Sequence, residues 1–394
     1  MMKRICFITG SRAEYGLLHA LMKNVEAEPD FELQIIATGA HFSPGLGRTY
    51  LEIEADGFAI DEKVDIPLPK TSAAMLTYVA NAVDQTGHAL QRLQPDLVIV
   101  LGDRYEIFAA ASAACLLKIP LAHIHGGELT EGAIDDVFRH CVTKMSHLHF
   151  VSADEYRRRV IQLGENPDSV YNVGALAIDN IKNMPLLAKQ DLENDLNLAF
   201  DRQVLLVTFH PETLSDISVS EQCQIMLDAL DTFKDVIMIF TKANADQGGD
   251  VVNHMLETYA AKRPADRKVF ASLGCLRYLS FLQYVDGVVG NSSSGIIEVP
   301  SFHIGTVNVG DRQKGRIRAD SVVDCPFDKD RICQSIQKIL SPAFKDGIKT
   351  MANPYGDGST GGRILDVLKT SHFKNLTLKS FFDCKFDNKE EVWK

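Results

Sequence analysis

Short, continuously apolar runs alternate with helical stretches along this chain, and the series occurs twice. The runs KRICFITG (3–10), FELQIIATG (31–39), DLVIVLG (96–102), PLAHIHG (120–126) and HLHFVS (147–152) are separated by helical segments such as YGLLHALMKNVEA, FAAASAACLLK and 134–146. The pattern restarts with QVLLVTFH (203–210), DVIMIFTK (235–242), RKVFAS (267–272), DGVVGNSSS (286–294) and GTVNVG (305–310). A strand apolar on both faces must be covered on both faces, which is the situation of a parallel sheet flanked by helices. The expected fold is therefore α/β, with two doubly wound Rossmann-like domains. The polar stretch 175–202, with Pro185, reads as the connection. The expected boundaries are 1–178 for the first domain and 179–370 for the second. A tail at 371–394 either packs back on the first domain or frays.

Composition narrows the function classes. A formal net charge of −11 argues against a general nucleic-acid binder, which needs a basic footprint. No apolar stretch reaches the length of a membrane span. MMKRICFITGS, with its short apolar run ending in Gly10, reads as a first strand rather than a signal peptide. The eight cysteines are widely spaced, with no CxxC pair, as in a protein of the reducing cytoplasm.

In doubly wound sheets, ligands sit beyond the carboxyl ends of the strands. Polar clusters follow predicted strands here at GSRAEYG, LGDRYE, HIHGGE, TFHPET, FTKANAD and GNSSSG. With two such domains, the expected active site is the inter-domain cleft, and its expected ligand is large and polar. In TGSRAEYG (9–16), Gly10 permits a sharp turn into a helix whose free N–H groups, with Arg12, suit a phosphate. The spacing is neither GxGxxG nor that of a Walker lysine. In GNSSSGIIEVPS (290–301), Ser292, Ser293, Ser294 and Gly295 open a helix and suit a diphosphate. Glu298, one turn on, is placed to accept hydrogen bonds from ribose hydroxyls; the plainer reading is a serine N-cap with a solvated glutamate. GDRQKGRIR (310–318) concentrates Arg312, Lys314, Arg316 and Arg318 in an otherwise acidic chain, as a phosphate clamp or a solvated basic loop.

Asp103 follows a buried strand, as a helix N-cap or a cleft acid. His210 ends a strand before Pro211, as a structural histidine or a group assisting a departing diphosphate. His123 and His125, two apart on an expected strand, face one side. With Asp103 or Asp135 they form a conceivable metal set, and His147 with His149 repeats the HxH pattern. Neither pair has a recognised zinc spacing. The competing reading makes His125, Glu128 and one of Asp135 or Asp136 the acids and bases of a sugar reaction.

As an ordered set, TGSRAEYG, LGDRYE, HIHGGE, IDDVFRHCVTKMSHLH, RVIQLGENPDSVYNVG, FHPET, GNSSSGIIEVP and NVGDRQKGR closely resemble the hydrolysing UDP-N-acetylglucosamine 2-epimerases of bacterial sialic acid pathways. The resemblance runs from residue 3 to about residue 318. It implies the two-Rossmann-domain architecture called GT-B and conversion of UDP-N-acetylglucosamine and water to N-acetylmannosamine and UDP. It also implies no cofactor, no required metal, and a homodimer or homotetramer. By this resemblance, Asp103 and one or more of Glu128, Asp135 and Asp136 transfer protons, and His210 and Arg12 assist the leaving diphosphate. Ser292, Ser293, Ser294 and Arg316 hold phosphates, Glu298 holds the ribose, and Tyr278 or Phe281 packs on uracil. One departure stands out. Related non-hydrolysing enzymes carry HxEAG at this strand end, and their catalytic Glu position is His125 here, so His125 or Glu128 takes that role.

The resemblance also covers a sister group acting on UDP-2,4-diacetamido-2,4,6-trideoxyglucose for legionaminic acid, which is the second expectation for substrate after N-acetylglucosamine. Three other functions compete: a GT-B glycosyltransferase, a metal hydrolase using the HxH pairs, and a nucleotide-sugar sensor without turnover.

Overall fold

The structure, a computed structural model, describes residues 2–69, 71–130, 134–212, 215–243 and 248–384. The described residues form two compact units, one within 2–128, 134–180 and 356–384, the other chiefly within Ile181–Tyr355.

In the first unit, β1 (Lys3–Thr9), β2 (Phe31–Thr38), β3 (Glu62–Val64), β4 (Leu97–Leu101), β5 (Leu121–Ile124), β6 (Leu148–Val151) and β7 (Val170–Asn172) form one parallel sheet. Its strand order is β3-β2-β1-β4-β5-β6-β7. Within β1 the side chains alternate between two cores. Ile5 and Phe7 join one, and Cys6 and Ile8 the other, all fully buried. This is why the run reads as continuously apolar. Each such aliphatic or aromatic side chain contributes about 1.5–3 kcal/mol by leaving water.

The second unit repeats the plan. β8 (Val204–Thr208), β9 (Ile237–Thr241), β10 (Arg267–Phe270), β11 (Gly287–Gly290), β12 (Gly305–Val309) and β13 (Val322–Cys325) are all parallel, in the order β10-β9-β8-β11-β12-β13. Leu205 and Val207 face one core, and Val204 and Leu206 the other. Each sheet reverses direction of winding once, at β1/β4 and at β8/β11. These switch points are where such sheets open a crevice.

The chain returns to the first unit earlier than the expected boundary at 370. The helix Thr360–Thr370 belongs to that unit, because Ile364 and Leu368 complete the core that contains Ile5 and Phe7. The Asp179 carboxylate accepts from the Thr360 and Gly361 amides at 2.9 and 2.6 Å, occupying the open donors of the helix start. Beyond it, Phe373 enters the same core and the Phe382 amide donates to Gly164 O at 2.9 Å. Residues 385–394 of the expected tail lie outside the described residues. Among those described, no helix is long and apolar enough to cross a membrane.

Candidate active site

At the first switch point, Gly10 follows β1, and Ser11 caps the helix Arg12–Glu26 by accepting from the Glu14 amide at 3.4 Å. Arg12 lies exposed on the first turn, its Nε 3.0 Å from Glu52. Behind it sits a pair of carboxylates that the sequence reading missed. Glu14 and Glu106 are both buried; Glu14 accepts from the Gly10 amide at 2.7 Å, and Arg104 Nε donates to Glu106 at 2.7 Å. Burial, and then the charge of Glu106, push the Glu14 carboxyl well above the usual range. A Cβ on Gly10 would lie 2.3 Å from Glu106 Cγ, so only glycine lets the two approach.

Asp103 follows β4 and pairs with Arg139, which projects from the helix Ile134–Met145. Arg139 is only 5% exposed, and its other end stands 4.0 Å from Glu128. Burial opposes its charge, but Asp103 and Glu128 outweigh that and hold it protonated. Glu128 also accepts from Ser152 Oγ at 2.9 Å and lies 3.4 Å from His125 Nδ1. Thus Arg139 bridges Asp103 and Glu128, and His125 stands on the far partner, Glu128. The helix-start aspartates diverge. Asp136 lies 3.5 Å from His140. Asp135 instead feels Asp103 and Arg104; burial first, then the Asp103 charge, raises its carboxyl above the ordinary aspartate value.

The histidine pairs behave differently from the expectation. β5 ends at Ile124, and His125 takes a left-handed backbone, φ 66°, so it does not share a strand face with His123. Gly127 then turns at φ 78°, where a Cβ would meet Tyr156 O at 2.5 Å. His123 donates Nε2–H to Gly102 O at 2.8 Å, leaving Nδ1 to accept from Thr143 Oγ1 at 3.0 Å. Burial pushes its pKa down to about 3. His147 accepts from the Leu121 amide, and His149 pairs with Glu165 at 3.0 Å. These imidazoles are committed to holding strands and helices in place, and no metal-holding group of three His, Cys, Asp or Glu occurs among the described residues.

At the second switch point, His210 follows β8 and Asn291 follows β11. The His210 amide donates to Asn291 Oδ1 at 2.7 Å, and Asn291 Nδ2 donates to His210 O at 2.8 Å. Ser292, Ser293 and Ser294 are half-buried at the start of the four-residue helix Ser294–Ile297. Ser294 Oγ lies 2.6 Å from the Tyr278 hydroxyl and hydrogen-bonds Glu298, so Tyr278, Ser294 and Glu298 form one cluster. Burial raises the Glu298 carboxyl. Gly295 serves packing, since a Cβ there would sit 2.9 Å from Thr306 Cγ2 on β12.

Two expectations are corrected here. Phe281 is fully buried in the core, edge-on to Phe200 with centroids 5.2 Å apart, and has no open face for a base. The basic loop is not a four-cation clamp. Arg312 donates to Asn291 O at 3.1 Å, and Arg318 pairs with Asp324 and donates to the Arg316 and Gln313 carbonyls. Lys314 is exposed and Arg316 half-buried, and both line a groove of about 430 Å³.

The profile of the family described as UDP-N-acetylglucosamine 2-epimerase matches residues 23–369. A Campylobacter jejuni protein, GDP/UDP-N,N′-diacetylbacillosamine 2-epimerase (hydrolyzing), is 42% identical over 97% of this chain and 99% of its own. Polysialic acid biosynthesis protein P7 of Escherichia coli is 40% identical over 97% of this chain and 98% of its own. The crystal structure of a Neisseria meningitidis UDP-GlcNAc 2-epimerase bound to UDP-GlcNAc superposes with a TM-score of 0.79 at 18% identity, covering 93% of this chain and 100% of that one. The likeness extends the fold reading to both units.

Proposed function

Since the chain belongs to the UDP-N-acetylglucosamine 2-epimerase family, we propose that it is a hydrolysing 2-epimerase of a UDP-linked 2-acetamido sugar. The observation that carries this reading is the pairing of Asp103 and Glu128 with Arg139, with His125 against Glu128 and Asp135 held at raised proton affinity beside Asp103.

The chemistry explains why such groups are needed. The C2–H of the sugar is not acidic in the ground state. As the C1–O bond to UDP breaks, cationic character at C1 acidifies C2–H, and a carboxylate removes it. UDP leaves, and a 2-acetamidoglucal forms. Water then adds at C1, and a proton returns to C2 on the opposite face, giving the manno sugar. The proton leaves one face and returns to the other, so at least two acid/base groups are required. Asp135, with its raised proton affinity, suits one of them, and Glu128 and Asp103 are the candidates for the other. Arg139 fixes the last two by charge. For the leaving diphosphate, Ser292–Ser294, Arg316, His210 and Arg12 supply donors and positive charge. Glu298, tied to Ser294, is the ribose acceptor, and Tyr278 remains the base-packing candidate.

For the sugar we take N,N′-diacetylbacillosamine first, because the 42% identical relative is named for it. N-acetylglucosamine is the second reading, favoured by the family's description and by the relative named for polysialic acid biosynthesis. The test is NMR of the purified protein with each UDP-sugar in D2O containing EDTA. The reading expects UDP release, a free manno-configured sugar deuterated at C2, and no loss of rate with EDTA. Transfer of the sugar to an acceptor with C2–H retained would establish a glycosyltransferase instead. UDP binding with no turnover of either sugar would leave a sensor. Inactivation by EDTA would restore the metal reading.

A further inference from the structure

Asn291 is bonded through its side chain, its amide and its carbonyl, and the reaction proposed above does not use it. Its side chain is fully buried; Oδ1 accepts from the His210 amide, and Nδ2 donates to His210 O while the same side-chain amide hydrogen-bonds the Glu212 carboxylate. Its own amide donates to Thr208 O at 3.1 Å. Its carbonyl accepts from Arg312 Nη1 at 3.1 Å and from Gln313 Nε2 at 2.9 Å. The residue before it, Gly290, has φ 135°, and a Cβ there would lie 1.9 Å from Thr208 O, so the ends of β8 and β11 meet without space for a side chain. Glu212 forms a second tie. It is two residues beyond His210, and its carboxylate accepts from the Arg312 amide at 2.9 Å. Gln222 closes the turn from behind, accepting from the Glu212 amide at 3.2 Å and donating to Glu212 O at 3.0 Å.

Three strand-end loops, after β8, β11 and β12, are thereby joined through one asparagine and one glutamate. They carry His210, the three serines and Arg316 respectively. Hydrogen bonds made by buried, fully used polar groups fix a single arrangement, and removing one partner leaves the other unsatisfied. An asparagine suits the knot because one amide offers both the acceptor and the donor that the His210 backbone requires; aspartate lacks the donor.

We propose that Asn291 and Glu212 are positioning residues that hold His210 and the 310–318 loop in register with Ser292–Ser294, making the diphosphate-binding loops one preorganised body. This rests on the proposed UDP-sugar reaction. The gain lies in the barrier, since donors already aimed at the developing negative charge need no reorganisation as the C1–O bond breaks.

The test is a double-mutant cycle on the full chain. Asn291→Asp keeps the size and loses the donor to His210 O, and is expected to lower kcat about 10- to 100-fold. In a His210→Ala background the same substitution should lower kcat much less, because the group it positions is already gone. Glu212→Gln is expected to weaken UDP, read by calorimetry, and to do so much less in an Arg316→Ala background. Full effects of Asn291→Asp and Glu212→Gln in both backgrounds would overturn the proposal and make the knot a general stability feature. If the unsubstituted protein neither binds UDP nor turns over a UDP-sugar, the proposed function fails instead. NMR of the His210 imidazole in the ligand-free protein then decides the positioning role. A changed shift and titration midpoint in Asn291→Asp supports it, and an unchanged imidazole overturns it.

Discussion

Asp135 and Asp136 are adjacent in sequence and equivalent by composition, but their surroundings separate them. Asp136 is beside His140, whereas Asp135 is half-buried near Asp103. Asp135→Asn should lower kcat by about 10²- to 10⁴-fold, and Asp136→Asn by less than about tenfold, in assays of UDP release. The reverse order would reassign the helix start. A carboxyl whose proton affinity is raised keeps its proton to higher pH. If Asp135 acts as the base, kcat/KM must therefore rise with pH through a midpoint above the ordinary aspartate value. Asp103→Asn removes one of the charges responsible and should move that acid limb to lower pH in the residual activity. Asp103, Glu128 and the serines stand out in the sequence because they closely follow strands, where chemistry collects; Glu14 and Glu106, in the first turns of their helices, do not. Arg139 and Asn291 do not stand out either, because their meaning lies in partners 36 and 81 residues away. Phe281 misled for the opposite reason. An aromatic near a predicted site is as readily core as contact, and only burial distinguishes them.

Apart from the edge strand β10, the strands legible at the level of elements are the inner ones. Ile5 to Ile8 or Val204 to Val207 are buried on both faces, and that leaves a continuous apolar run. β3, β7 and β13 have only three or four residues at or near sheet edges, with polar members, and give no such run. His125 was expected on a strand because HIH alternates, but the two glycines after it allow the chain to turn and take it out of register. Gly127→Ala should therefore be costly, combining a φ of 78° with a Cβ 2.5 Å from a carbonyl oxygen. A loss of at least about 2 kcal/mol in denaturant unfolding is expected. The segment 371–384 makes a second element-scale prediction. Lys379 and Lys144 lie 2.6 and 2.7 Å from the buried Glu165, which also pairs with His149. Burial alone would raise Glu165, but His149 and the lysines together bring it down to about 2. A depressed carboxylate stabilises the fold above its unfolded pKa, and that contribution disappears as pH falls toward about 2. Glu165→Gln should cost about 2 kcal/mol near neutral pH, with the difference from the parent protein narrowing as the solution is acidified.

For the whole molecule, the division of labour is testable without a substrate. The serines, Glu298, Tyr278 and Arg316 all belong to the second unit. UDP should therefore slow amide exchange in β8, β11 and β12 under native conditions. At a hundred times its Kd, it should stabilise the unit that binds it by about 2.7 kcal/mol. Equal protection of β5 and β6 would contradict a nucleotide site built from those residues. The connectivity of the first unit also has a consequence during synthesis. All seven strands of its sheet have been made once Asn172 is joined, yet Ile364, Leu368 and Phe373 of the same core are added only after the whole of Ile181–Tyr355. A ribosome making this protein thus exposes a sheet with one face incompletely covered for as long as it takes to translate the entire second unit. The later-made unit is the first to have all its parts, and the beginning of the chain waits for the end.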